Sequence, residues 1–469
     1  MLEAIINFLN TLLWGKLLVY ALVGTGLYFT VRLAFIQFTG FGHSIKLMRI
    51  SRNKSDDGLS SFQVFCTSMA ARVGAGNMAG VAVAIGAGGP GAVFWMWLIA
   101  VLGMSTAMVE ATLAQVYKEK DVTGQFRGGP AYYMEKGLGQ RWMGVLFSLL
   151  LILSFGLVFS AVQANTITSA MTSLFEVDTT WAGVVIVALT AFVISGGMKK
   201  VARVSEILVP VMAMAYILVA LFIVLINITE LPAIIVLIVK SAFGWQEVAA
   251  GGVAYAISQA MQAGIARGLF SNEAGMGSAA NIAASATPNP NHPASQGYIQ
   301  MLGVFIDTIV ICSATAAIIL LAGDMGTEHD GIALTINALN SHIGEMGSWF
   351  FAFAILLFCF TSIIANYSYA ETNMLFISKQ GKHWVYILRL AVLGMVMFGA
   401  VTKISIVWNM ADASMGMMAL VNIVALLLLS GIAIKVIKDY RTQVKQGVEP
   451  EFKPETLPEL KGQLNDKIW

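Results

Sequence analysis

The sequence predicts an all-α integral membrane protein of about eleven transmembrane helices, ten of them forming two inverted sets of five behind one extra helix. Three observations predict it. The chain has 469 residues, 57% of them hydrophobic and 12% charged, with a mean hydropathy of +0.76. That is about half the charge of an ordinary soluble domain. Lysine and arginine gather in alternate loops. Two apolar segments, one early and one late, are each interrupted by glycine and polar residues.

A bilayer core of about 30 Å needs about 20 apolar residues in a helix. Spans that meet this need start near Leu17, Phe62, Ala92, Trp142, Trp181, Ile207, Ala250, Met301, Trp349, Trp384 and Met415. Residues 12–37 form the extra N-terminal helix, 60–230 the first five-helix repeat and 245–438 the second, inverted one. All lie in a transmembrane domain, 1–440, followed by a cytoplasmic tail, 441–469. The stretch from Leu231 to Phe243 is too short to cross and is expected at the interface or over the protein. The N-terminal segment lacks a basic start and a small-residue cleavage site, so no removed signal peptide is expected.

Basic residues crowd His43 to Lys54, Lys118 to Arg141, Lys199 to Arg203, Lys379 to Lys382 and the tail from Lys435. Ser173 to Thr180 and Ala322 to Gly347 carry acids and neither lysine nor arginine. Cytoplasmic loops favour basic residues. With eleven spans the two kinds of loop alternate strictly, which puts the N-terminus outside and the C-terminus inside. Trp142, Trp181, Trp349 and Trp384 mark span edges and read as an interfacial belt without a substrate role.

The interruptions are "RVGAGNMAG", Arg72–Gly80, and "RGLFSNEAGMGSA", Arg267–Ala279. They fall inside the first helix of each set. At 1.5 Å per residue the flanking pieces each cover about half the membrane core, so both breaks fall near the midplane. Glycines in membrane helices commonly serve close packing alone. Two polar breaks in repeat-related places point instead to a binding site where they cross. An unwound stretch exposes N–H and C=O groups that lipid cannot satisfy. A half-helix N-terminus suits a carboxylate, and a half-helix C-terminus offers carbonyls to a cation or an ammonium. A zwitterion with a sodium ion meets both needs.

The motifs "GAGNMAGVAVAI", "GGPGAVFWMW", "GQFRGGPAYYM", "VQANTIT" and "GLFSNEAGMGSA" resemble the alanine/glycine:cation symporter family, over a stretch from about Trp14 to the final helix. That family is similar in fold to the LeuT-type amino-acid transporters. The resemblance implies sodium-driven, sometimes proton-driven, import of a small neutral amino acid such as alanine, glycine or glutamine. It implies that Asn77 and the backbone around Gly74 and Gly76 hold the substrate carboxylate, and that Gln163 reaches the substrate by its amide. Phe270 and the break at Ser271, Asn272, Ala274 and Gly275 would cover the substrate and offer carbonyls to its ammonium. Better-known members carry a T-x-x-G-W-like motif on the third-last span, its tryptophan closing the side-chain pocket. Here that stretch reads "FTSIIANYSYAE", and Asn366 stands in the tryptophan's place. A smaller polar residue there enlarges the pocket and admits glutamine or a similar side chain.

Sodium prefers oxygen ligands. Thr361 and Ser362 lie three and four residues after Phe358, on one helix face. Their hydroxyls with the carbonyls of Phe358, Val73 and Gly76 could make a five-oxygen cage, which matches the common sodium site of LeuT-type proteins. Hydroxyls of this kind can also merely bond back to their own helix.

The remaining ionisable residues near the membrane are Arg72, Glu110, Arg267, Glu273, Asp307, Glu371 and Lys403. Buried charge is costly and marks functional places. Glu273 lies inside the second break, where it could pair with Arg72 or Arg267, or titrate. Glu110 and Glu371 are expected near the cytoplasmic face, where long side chains snorkel. Asp307 fits a packing bond or an ion path.

A net charge of +2 gives no footprint for nucleic acid. Cys66, Cys312 and Cys359 sit in apolar runs, no His or Cys pair has metal-ligand spacing, and no nucleophile–base pair lies in the spans. The reading is therefore a sodium-coupled secondary transporter, not an enzyme. It needs no cofactor besides the coupling ion, and works as a monomer among the lipids of a bacterial inner membrane. A proton-coupled symporter and an ion channel are the alternatives.

Overall fold

The structure is a computed structural model that describes residues 2–52, 58–245, 250–323, 331–379, 381–460, 462–464 and 468–469. Its main helices are α1 (Glu3–Arg32), α2 (Ser61–Arg72), α3 (Gly76–Gly88), α4 (Gly91–Val116), α5 (Arg141–Phe175), α6 (Thr179–Ile194), α7 (Gly197–Ile226) and α8 (Leu231–Ala242). They continue with α9 (Ala250–Asn272), α10 (Ser278–Ala283), α11 (Pro293–Leu321), α12 (Gly331–Ile343), α13 (Glu345–Ile377), α14 (Lys382–Val401), α15 (Ile404–Leu428) and α16 (Ser430–Lys445). Among the described residues eight helices are long and apolar enough to cross a membrane, and the bent pair α2–α3 makes nine. Two of the expected spans do not meet that standard. The helix at Trp181 is short, 16 residues, and the helix at Ala250 is diluted by Ser258, Gln259, Gln262 and Arg267. Of the acids expected in the loop before α12, Asp324, Glu328 and Asp330 lie outside the described residues, as does Lys54.

Both expected interruptions are present. Helix α2 opens with a capping box between Ser60 and Gln63 and ends at Val73, whose backbone is extended. Gly74 and Ala75 follow before α3 resumes, bent 47° from α2. Helix α9 stops at Asn272. Glu273, Gly275 and Gly277 then have φ of +61°, +99° and +78°, so the chain turns through the left-handed region before α10. A left-handed glutamate is uncommon and costs backbone strain.

Helices α9 and α11 pack on α4, while α2 lies against α7 and α13. Helix α5 packs on α13 and α14. A short parallel ladder pairs Leu59 with Ala286 and Ser60 with Thr287. It ties the entry to the first broken helix to the exit from the second. Helix α8 lies over α4: the Gly91 N–H donates to Ser241 Oγ at 3.0 Å, and Trp95 Nε1 donates to the Ala242 carbonyl at 3.4 Å. Large apolar side chains such as Phe192, Leu218, Leu390 and Leu428 are exposed, as suits helices whose solvent is lipid. Trp142, Trp181, Trp349 and Trp384 are exposed too.

Two expectations are corrected here. Glu110 does not snorkel: it is buried, and its Oε1 accepts from the Gly277 N–H at 3.0 Å and from Asn422 Nδ2 at 2.6 Å. Glu371 is also buried and forms an ion pair at 3.0 Å with Arg127, carried to it by a hairpin that pairs Glu119–Lys120 with Phe126–Arg127. The same guanidinium binds Asp121. The segment after α16 packs back onto the domain. Phe452 packs on the His292 ring, and the Lys118 ammonium lies over the Trp469 ring.

Candidate functional site

The site is built where the two breaks meet. In the first, the Gly74 N–H donates to Asn77 Oδ1 at 3.0 Å, and the Ala75 N–H donates to Gln163 Oε1 of α5 at 2.8 Å. Gly74 has no room for a side chain: a Cβ there would collide with Ser362 Oγ and Gln163 Oε1. At Gly76 it would stand 2.9 Å from the Phe270 ring. These glycines let backbone, amide and hydroxyl converge on one point.

Asn77 reaches from the first break to the second. Its Nδ2 donates to Ser271 Oγ at 2.9 Å and to Asp307 Oδ1 at 2.8 Å. Ser271 and Thr308 both donate to Asp307 Oδ2 at 2.7 Å. Asn77, Ser271 and Asp307 are fully buried, so this carboxylate is satisfied inside the protein by neutral donors from three helices. Asn272 Oδ1 accepts from the Ala274 N–H at 3.0 Å, and the Gly275 carbonyl accepts from Asn422 Nδ2 at 2.9 Å. Glu110 and Asn422 thus hold the second break open from α4 and α15, with the Tyr133 hydroxyl donating to Asn422 Oδ1.

Beside the first break, Ser362 Oγ of α13 lies 2.8 Å from the Ala70 carbonyl, 3.3 Å from that of Val73 and 2.9 Å from that of Phe358. Thr361 Oγ1 is 3.0 Å from the Phe358 carbonyl. The end of α2 and one face of α13 so gather five oxygens. Ala70 supplies a second α2 carbonyl at Ser362, beyond those the residue spacing suggests. The last two turns of α2 present Ala70 and Val73 on one side, and Gly76 lies beyond the bend.

Aromatic rings line one flank. Phe270 stacks on Phe159 with centroids 4.3 Å apart and meets the Trp408 ring at a tilt, 4.7 Å away. The Arg267 guanidinium lies 4.8 Å over Trp408 and pairs with Asp412. Arg267 is therefore engaged away from Glu273, and Trp408 stands between it and Phe270.

Asn366 is fully buried, and neither its Oδ1 nor its Nδ2 has a hydrogen-bond partner among the described residues. It lies four residues after Ser362 and three before Tyr369, so the three share a face of α13. Ser362 touches the first break, and Tyr369 faces Glu273 in the second. An unmet buried amide costs about 1–3 kcal/mol, and it sits between the two breaks.

Sequence reasoning placed Gly74, Gly76, Asn77, Gln163, Phe270, Ser271 and Ser362 in this neighbourhood. It did not anticipate Ala70, Trp408, Asn422 or Tyr133. Nothing local marks those four. They reach the site through long-range packing, though Asp307 was visible as a lone acid in an apolar span.

A model of the sodium:alanine symporter family matches residues 1–454. The chain is 51% identical to the amino-acid carrier protein AlsT of Bacillus subtilis (strain 168), over all of this chain and 97% of that protein. It is 48% identical to a Bacillus subtilis protein named a probable sodium/glutamine symporter, GlnT, over 98% of this chain and 95% of the relative. Among solved structures it resembles MhsT in complex with L-phenylalanine, with a TM-score of 0.55 at 14% identity, covering 82% of this chain and 99% of that one. The last likeness shows the fold, which is that of the LeuT-type transporters.

Proposed function

The chain belongs to the sodium:alanine symporter family, and from that premise we propose that it imports a small neutral amino acid with sodium by alternating access. As a family member it is a secondary transporter and not an enzyme. The observation that supports the reading best is the meeting of the two breaks at Asn77 and Ser271.

Sodium would sit among the carbonyls of Ala70, Val73 and Phe358 and the hydroxyls of Thr361 and Ser362. It would stiffen the end of α2 and set the angle of the break beside it. The substrate carboxylate would take the N–H groups at Gly74, Ala75 and Gly76, displacing the Gln163 oxygen from Ala75. Carbonyls of the second break would accept from the ammonium, and Phe270 would cover it. Asn366 would face the side chain, with room and an unmet amide for glutamine as well as alanine or glycine. We read eleven spans in a 5+5 inverted arrangement with the N-terminus outside, acting as a monomer in a bacterial inner membrane.

The test is uptake of radiolabelled alanine, glycine and glutamine into liposomes holding the purified protein. An inward sodium gradient is expected to drive accumulation of at least one of them, and a proton gradient alone is not. Accumulation at full rate without sodium overturns the ion assignment. Ion current without any solute favours a channel.

A further inference from the structure

Glu273 has fewer hydrogen-bond donors than the two other buried acids of the site. Glu110 is bound by the Gly277 N–H and Asn422, and Asp307 by Asn77, Ser271 and Thr308. Glu273 receives one bond, from Ser278 Oγ to Oε2 at 2.6 Å, and its Oε1 has no partner among the described residues. The charged and titratable groups that face it are Arg72 from α2, Tyr369 from α13, Asp307 from α11 and Glu110 from α4. The one cation among them, Arg72, stands before three carboxylates. Among the described residues its Nε has no partner and its Nη1 reaches only the Gln300 carbonyl, at 3.5 Å. The Tyr369 hydroxyl faces the Glu273 carboxyl and has no other partner among the described residues. Glu273, Arg72 and Tyr369 are 1%, 2% and 0% exposed. The other nearby cation, Arg267, is taken by Asp412.

Three carboxylates with one guanidinium leave negative charge uncompensated in a region where that is expensive. From this unpartnered geometry we propose that Glu273 is a proton-binding site of the transport cycle, separate from the sodium cage. The proton bonds to Oε1, where the carboxyl donates to the Tyr369 oxygen, and the cluster's charge comes closer to balance. The second break is then held shut against α13. When the break opens to water, the O–H bond breaks heterolytically, the proton leaves to solvent, and Glu273 turns its charge toward Arg72. The strained backbone at Glu273 (φ +61°) lets a change of one side chain's charge act directly on the break. The sodium cage is built of neutral oxygens and shares no residue with this cluster. The proposal rests on the symporter reading only in taking the break to move.

The test compares wild type with E273Q and E110Q. Uptake at a fixed sodium gradient is measured from pH 5.5 to 9. Wild type is expected to lose at least fivefold on the alkaline side and E273Q to be flat across the range, while E110Q, which loosens the second break, is expected to be slower at every pH and to keep the slope. Thermal stability over the same pH range in ligand-free protein is read in parallel, because it does not depend on the substrate or on transport. It should show a one-proton transition in wild type that E273Q removes. A wild-type pH profile in E273Q by both readouts overturns the proposal, as does loss of the transition in E110Q alone. Failure of every solute to be taken up by wild type would refute the symporter reading while leaving the stability comparison to decide this one.

Discussion

The Asn77 amide nitrogen and the Ser271 hydroxyl lie 2.9 Å apart, and through them the two interrupted helices touch at their interruptions. Asn77 also accepts from the Gly74 N–H and donates to Asp307. One side chain thus sets the shape of the first break, meets the second, and contacts α11.

Asn77→Ala is expected to lower uptake at least a hundredfold while the protein still elutes as a folded species. It removes the acceptor that shapes Gly74 and leaves Asp307 and Ser271 short of a donor, a loss of about 1–3 kcal/mol for each unmet group. Initial rates in liposomes beside size-exclusion profiles check it. Normal uptake by a folded variant would remove Asn77 from the site.

Thr361→Ala takes one hydroxyl from the five oxygens beside α2 while leaving the carbonyls in place. The sodium concentration for half-maximal uptake should rise about tenfold, which corresponds to about 1.4 kcal/mol, with the substrate KM at saturating sodium changing little. Sodium titrations of uptake measure it. An unchanged sodium dependence would place the ion elsewhere.

Asn366→Leu replaces an unpartnered amide by an apolar side chain of similar size. Glutamine uptake should fall by more than tenfold relative to alanine uptake, because a glutamine side chain would then bury its own amide without a partner. Competition of each amino acid against labelled alanine gives the ratio. An unaltered ratio would mean that Asn366 does not face the substrate.

His292 caps α11, its Nδ1 accepting from the Ala294 N–H at 3.1 Å. Burial pushes its pKa down from 6.5 to about 4, against the pull of Asp439. A histidine held below its unfolded value contributes stability in its neutral form. That contribution is present above pH 6.5 and is lost as pH falls toward 4, at up to ~1.4 kcal/mol per pH unit. Thermal unfolding from pH 7.5 to 4.5 should therefore show a steep acid limb, and His292→Asn, which keeps a capping acceptor, should flatten it. Parallel curves for the two proteins would contradict this.

Much of the molecule was legible in the residues alone. Apolar run lengths and basic loops predict the membrane class and most spans, because the bilayer imposes a length and the loops carry their charge openly. Both breaks were legible as well, since glycine and polar residues cannot sit idly in an apolar helix. Thr361 and Ser362 could be read with Phe358 by helical spacing. That the Ala70 carbonyl also meets Ser362 could not be read, because it depends on where α2 bends, and a backbone angle leaves no mark in residue spacing. Glu110 and Glu371 read as snorkelling acids because an isolated span gives no sign of Asn422 or Arg127, which arrive from 312 and 244 residues away along the chain.

What the sequence by itself determined, then, is the solvent this protein lives in and the two places where its helices are unwound, since both follow from local composition. Which oxygens gather around α2, which acids are answered by donors, and which of them, Glu273, is left with a single bond were decided only by tertiary structure. Hydrogen bonds need partners within about 3 Å, and packing alone chooses which distant residues come that close.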